Sequence, residues 1–163
     1  VRVNLFGSRN FAEAVLAHMK SGARLALVAS LAGLTANYSY AAYCASKFAV
    51  VGLGKVLRLE YKPRGIGVVL ICPPEVDTPM VVEESKTMHP ASRALKDLGG
   101  TLSLDEAVAD ILAGLDAGKG VVIPGAKARF TVLCSRYLPD FAMNAFVDRI
   151  VGTELGKMQA DVT

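Results

Sequence analysis

The stretch SYAAYCASKFAVVGLG, residues 39–54, sets a tyrosine and a lysine, Tyr43 and Lys47, four positions apart among small and apolar residues. Four positions is one helical turn, so the two side chains share a face. Taken alone, such a pair is more often packing than chemistry. The segment extends as a helix over about 39–61 and closes at Lys62-Pro63-Arg64-Gly65.

Working outward, residues 23–30 (ARLALVAS) form an apolar run of strand length without a polar face, as expected of a central parallel strand covered on both sides. A loop of small residues spans 31–37. Upstream, residues 4–20 carry Leu5, Phe11, Val15, Leu16 and Met19 near helical spacing, and Gly22 stops them. Downstream, 66–72 (IGVVLIC) reads as a second buried strand, broken by PPEVDTP. Residues 81–97 are polar and helical in part. Ser103 followed three residues later by Glu106 signals a capping box for a helix over 103–118, and 120–125 supplies a third short strand. Helices alternating with strands specify α/β with a parallel sheet. The tail, 127–152, is apolar but interrupted by Arg136, Pro139, Asp140, Asp148 and Arg149. A membrane span needs about 20 apolar residues with few charges, so no transmembrane span is expected. A pair of amphipathic helices broken at Pro139 fits better. It would pack on the body or a partner subunit, rest on a membrane surface, or line a greasy substrate's entrance.

Composition narrows the function. The 163 residues are 52% hydrophobic and 20% charged, enough for one domain with a core. A net charge of +3 without a basic run argues against nucleic acid. Cys44, Cys72 and Cys134 make neither a disulfide framework nor a metal pattern; reduced thiols in the cytoplasm are expected, and no metal site. Cys44 reads as a small buried hydrophobe rather than a nucleophile. The sequon at Asn37-Tyr38-Ser39 has no secretory signal beside it.

Ser30 ends a buried strand thirteen residues before Tyr43, and Asn4 opens the first helix. Side chains at the carboxyl ends of parallel strands face the ligand crevice of such sheets. An Asn, a Ser, a Tyr and a Lys in one cleft suit carbonyl reduction. A ketone that receives hydride becomes an alkoxide and needs a proton, which free tyrosine, with a pKa of ~10, gives up and takes back inefficiently near neutrality. A nearby ammonium favours the phenolate. Ser30 would hold the substrate oxygen. A serine hydrolase is disfavoured: only His18 and His89 are available, and no Gly-x-Ser-x-Gly elbow surrounds Ser30.

ASLAG (29–33) followed by YCASK (43–47), with VNLFG (3–7) before and GIGVVLICPPEVDTPM (65–80) after, resembles the short-chain dehydrogenase/reductase family from residue 1 to about 125. The resemblance implies that Tyr43 is the general acid, that Lys47 tunes it and bonds the nicotinamide ribose, and that Ser30 orients the carbonyl. It further implies that Asn4 supports a water-linked proton path to Lys47. Tyr43, Lys47, Pro73, Val76 and Thr78 would meet the nicotinamide end of NADP or NAD, with NADP slightly favoured and Val76 and Thr78 near the carboxamide. A homodimer or tetramer on the helices at 4–20 and 39–61 is implied too; the apolar FAVVGLGKVL agrees.

Two departures stand out. Pro74 replaces the family's usual Gly, in a PPEVDTP run that resembles the branch acting on 3-ketosphinganine. The family's Gly-rich turn, its adenine-ribose reader and its Asn-Asn-Ala-Gly strand would all precede Val1. VGLGKV (51–56) does not replace them, because a helix runs through it. The expected architecture is therefore a partial Rossmann-like, doubly wound parallel sheet without its N-terminal dinucleotide-binding half. It divides into 1–125, carrying the catalytic motifs, and a helical extension, 126–163. The expected activity is interconversion of a ketone and a secondary alcohol, including lipid-like 3-keto substrates favoured by the apolar tail. The alternative is a non-catalytic fragment or degenerate relative that serves as a dimerisation or binding module. Localisation is expected to be cytoplasmic, with peripheral membrane contact through the tail left open.

Overall fold

The structure is a computed structural model and describes residues 1–160. Its longest elements follow the apolar runs. Helix α1 (Ser8–Leu16) is preceded by a wider helical turn, Arg2–Gly7. Strand β1 (Arg24–Val28), helix α2 (Ala41–Tyr61) and strand β2 (Gly67–Ile71) come next. Then follow β3 (Glu75–Val76), α3 (Pro79–Ser85), α4 (Pro90–Gly99), β4 (Thr101–Leu102), α5 (Leu104–Asp116) and β5 (Val121–Val122). The chain closes with α6 (Ala126–Tyr137) and α7 (Asp140–Ala160), separated at Pro139 as the sequence implies. The capping box at α5 is present: the Glu106 N–H donates to Ser103 Oγ at 3.3 Å, and the Ser103 N–H donates to Glu106 Oε2 at 3.0 Å.

The sheet is parallel, in the order β1-β2-β5, with Arg24 opposite Gly67 and Val28 opposite Ile71. Strand β2 is central and buried along Val68–Ile71. Val68 and Leu70 join Leu25, Leu27, Ala12, Leu16, Val50 and Val51 in one core beneath α1 and α2. Strand β1 departs from expectation. Leu25 and Leu27 are buried, but Arg24, Ala26 and Val28 alternate with them and are exposed, Val28 by 59%. Among the described residues, helices cover β1 on one face only. An apolar run looks the same whether one face or two are covered. Phe11 is also outside the core, 57% exposed, while Ala12 and Leu16 carry the α1 contact.

Gly52 and Gly54 have different roles. A Cβ on Gly54 would lie 2.5 Å from Leu70 Cδ2 and 2.9 Å from Cγ, so α2 lies on β2 at a distance only glycine permits. A Cβ on Gly52 would meet nothing within 4 Å.

A second feature has no local mark in the sequence. β3 and β4 form a small parallel sheet, with Glu75 opposite Thr101 and Val76 opposite Leu102. A cluster of charges fixes it. The Glu75 side chain is 5% exposed and accepts both guanidinium nitrogens of Arg93, at 2.8 and 3.0 Å. It also accepts Thr101 Oγ1 at 3.1 Å and Lys96 Nζ at 3.3 Å. Lys96 bonds Glu84 Oε2 at 3.0 Å, and the Tyr40 hydroxyl donates to Glu84 Oε1 at 2.5 Å. Burial pushes the Glu75 carboxyl up, but the bonds from Arg93, Thr101 and Lys96 outweigh it and hold the group below its ordinary value. The cluster joins the start of α2 to α3, α4 and the small sheet.

The tail packs on the body, α7 along α4 and α6 beside both. Helix α7 is not simply amphipathic. Val147 and Ile150 are half-buried, whereas Phe141 and Phe146 are exposed by 78% and 51%.

Two stability measurements follow. Gly54→Ala should lower the urea-unfolding free energy by about 1–3 kcal/mol through overpacking. Gly52→Ala should be neutral or stabilising by up to ~1 kcal/mol. For Glu75, a depressed folded pKa means that its contribution is complete above the unfolded value of 4.5 and is lost as pH falls through the folded value. Glu75→Gln should therefore cost about 1–3 kcal/mol at neutral pH and flatten the loss of stability below pH 4.5, read from urea midpoints across pH.

Candidate functional site

β1 ends at Val28, and the chain turns at once through Ser30. The Ser30 Oγ accepts the Ala32 N–H at 3.2 Å and so caps a short turn, Leu31–Gly33. That turn lies against α2. A Cβ on Gly33 would sit 2.8 Å from the Lys47 carbonyl oxygen, so glycine lets the Ser30 turn touch the helix backbone at the level of Lys47. Leu31 N–H donates to the Pro73 carbonyl at 2.8 Å, tying the turn to the loop after β2. Ser39 is left-handed, with φ 62°, and re-aims the chain immediately before Tyr40 and α2.

A cavity of about 480 Å³ opens at this junction. Ser30 and Tyr43 line it together with Val76 and Thr78. Lys47 stands one turn behind Tyr43. Its Nζ lies 5.7 Å from the centre of the Tyr43 ring and donates to the Val28 carbonyl at 3.3 Å, at the carboxyl end of β1. Burial pushes the Lys47 ammonium below its ordinary value. Asn4 approaches α2 from another side. Its Nδ2 donates to Ser46 Oγ at 3.0 Å, and that hydroxyl donates to the Tyr43 carbonyl at 2.7 Å. Asn4 thus braces the turn that carries Tyr43 and Lys47. Pro73 does not line the cavity; its carbonyl holds Leu31, and Pro74 takes the lining position.

Thr78 Oγ1 and Asn37 Oδ1 are buried polar atoms at this cavity without a hydrogen-bond partner. In native proteins such atoms are uncommon and point to an absent partner. Tyr40, Glu75, Glu84 and Lys96 also line the cavity, and the sequence reading does not single them out. Their partners lie far along the chain, Glu84 being 44 residues from Tyr40, so no local pattern marks them. The opposed charges of Glu75, Glu84, Arg93 and Lys96 balance at this rim.

His89 Nδ1 accepts the Ala91 N–H at 3.1 Å and caps α4. Cys72 is buried and its thiol is pushed up to about 11, far from a thiolate. Among the described residues no three His, Cys, Asp or Glu side chains converge as metal ligands, and no helix is long and apolar enough to cross a membrane.

Comparison with known proteins gives the family. A family profile described as short chain dehydrogenase matches residues 1–89. A 3-dehydrosphinganine reductase of Arabidopsis thaliana is 35% identical over 139 residues, covering 82% of this chain and 39% of that protein. A 3-dehydrosphinganine reductase of Danio rerio is 38% identical over 114 residues, 69% of this chain and 34% of that protein. The chain therefore spans about two fifths of the length of these curated relatives or less. Among solved structures, a short chain dehydrogenase from Burkholderia cenocepacia in complex with NADP superposes with a TM-score of 0.72 at 27% identity, covering 89% of this chain and 56% of that one. The matched residues include the Ser30 turn and the Tyr43–Lys47 helix, and the chain belongs to the short-chain dehydrogenase family.

Proposed function

We propose that this chain carries the catalytic groups of an NAD(P)-dependent oxidoreductase that interconverts a ketone and a secondary alcohol. The observation that carries the reading is the meeting of Ser30 and Tyr43 at one cavity, with the Lys47 ammonium fixed behind the tyrosine ring. The cavity's residues suit a nicotinamide: the buried, unpartnered Thr78 Oγ1 would gain a partner in the carboxamide beside Val76. Tyr43 and Lys47 would stand at the ribose. NADP is slightly favoured, in keeping with the Burkholderia cenocepacia relative. When bound, the nicotinamide supplies or accepts the hydride.

The chain's own groups handle the oxygen and the proton. Ser30 Oγ already accepts the Ala32 N–H, which leaves its O–H to donate to the substrate oxygen. Tyr43 delivers its proton to the same oxygen as negative charge develops there. The Lys47 ammonium then stabilises the charge left on the phenolic oxygen. Asn4 holds the helical turn in place through Ser46.

The substrate class follows from the setting. The pocket is largely apolar between Leu31, Met80, Val81 and Leu95, and the relatives are named for a long-chain 3-keto base. We therefore read the substrate as a lipid-like 3-ketone. Phe48, Val56 and Leu59 on α2 and Phe6 and Phe11 near the N-terminus are exposed, which supports a homodimer or tetramer on these helices. Cytoplasmic placement with peripheral membrane contact through the tail belongs to the same proposal.

In the full-length protein, Tyr43→Phe should lower kcat for ketone reduction by about 10²- to 10⁴-fold with little change in KM and an unchanged circular dichroism spectrum. Near-normal turnover would remove Tyr43 from the mechanism. Lys47→Ala should weaken both cofactor affinity, measured by calorimetry, and kcat, because the ammonium is assigned to both; loss of only one would split its roles.

A further inference from the structure

A second cavity, of about 550 Å³, lies beyond the first, between α4, α6 and α7. Its volume falls in the range of ligand sites. Thr35, Ala36 and Leu95 line both cavities, so the two meet along a shared wall. Leu98, Phe130, Leu138, Met143, Phe146 and Val147 make most of the second one apolar. Phe130, Leu138 and Phe146 remain 67%, 48% and 51% exposed, a cost that an apolar occupant would relieve.

The polar atoms of the α6 wall are already engaged. Thr131 Oγ1 donates to the Leu98 carbonyl at 2.7 Å, and Ser135 Oγ donates to the Val132 carbonyl at 3.0 Å. Hydroxyls already donating to backbone carbonyls present little for a polar ligand to recognise. Thr35 Oγ1 donates to the Leu31 carbonyl at 3.2 Å, and the other polar lining side chains, Asn144 and Asp148, are exposed residues of α7. From Phe130 to Leu138 the wall runs about 12 Å by helical rise.

We propose that this groove is the hydrocarbon-chain site of the enzyme, holding the alkyl tail of a substrate whose ketone sits at Ser30 and Tyr43. The assignment rests on the reaction proposed above and adds where the rest of that substrate lies. It gives α6 and α7 a role in binding besides packing on α4. Burial of each methylene in such a groove raises affinity by up to roughly fourfold, so the alkyl tail dominates selection.

The test uses the full-length enzyme, NADPH and a series of 3-ketones of increasing alkyl length, with a long-chain 3-ketone bearing a terminal diazirine as a label. The proposal expects kcat/KM to rise with chain length and the label to fall on α4, α6 or α7. It also expects Ser135→Trp, which fills the groove, to lower the ratio of long-chain to short-chain kcat/KM at least tenfold. A flat series with Tyr43-dependent turnover overturns the groove assignment and leaves the reaction standing. A rising series that Ser135→Trp does not alter, with labelling elsewhere, also overturns it. Labelling confined to the groove in an enzyme that reduces no ketone supports the hydrocarbon site and overturns the reaction. The labelling on unaltered enzyme decides the matter even if Ser135→Trp does not fold. Failure to label the groove, with α6 and α7 instead buried in a dimer by scattering and exchange protection, overturns the assignment in favour of a second copy.

Discussion

Helix α2 touches two neighbours with no room for a Cβ: β2 at Gly54 and the Ser30 turn at Gly33. Most of the site's geometry follows from these contacts. Gly54 sets the height of the helix over the sheet, with Val50 and Val51 driven into the core beside Leu70. Gly33 then lets the turn after β1 meet the helix backbone at Lys47, which brings Ser30 and Tyr43 to one cavity. Packing fixes the groups of the proposed site, and fixed geometry is what makes a hydrogen-bond donor effective against a developing charge.

Two lysines, one behind Tyr43 and one on the cavity wall, are held differently. Lys47 is half-buried with one carbonyl acceptor, Val28, and burial depresses its ammonium. Lys96, across the cavity, is 18% exposed at its side chain and held by two carboxylates; burial lowers it, but the bonds and charge of Glu84 outweigh this and raise it. A lysine so neutralised serves the rim and its shape. A lysine without a carboxylate partner behind a tyrosine suits the role proposed for Lys47. The contrast explains why the Glu75 cluster belongs to the architecture although it lines the same cavity.

Much of this was legible in the sequence where the signal is local. The Tyr43–Lys47 spacing, the apolar strand of β2, the Ser103–Glu106 cap and the break at Pro139 each depend on neighbours within a few residues. Ser30 is marked by its place after a strand end, which is itself a local signal. What escaped depends on distant partners. Strands β3 and β4 are two residues each, and Glu75 pairs with Thr101, 26 positions on. The open face of β1 and the exposure of Phe11 were missed because an apolar run records composition and not what covers it. The resemblance puts Pro73 at the cofactor; its carbonyl accepts the Leu31 N–H, a contact no local pattern marks.

The central claim is that Ser30 and Tyr43 act on one oxygen atom. A double-mutant cycle in the full-length enzyme, with Ser30→Ala, Tyr43→Phe and the double variant compared by kcat for ketone reduction, tests it most directly. Groups acting as a unit predict that the double variant loses little more than the worse single one. Losses that multiply would place the two hydroxyls in independent roles and contradict the account.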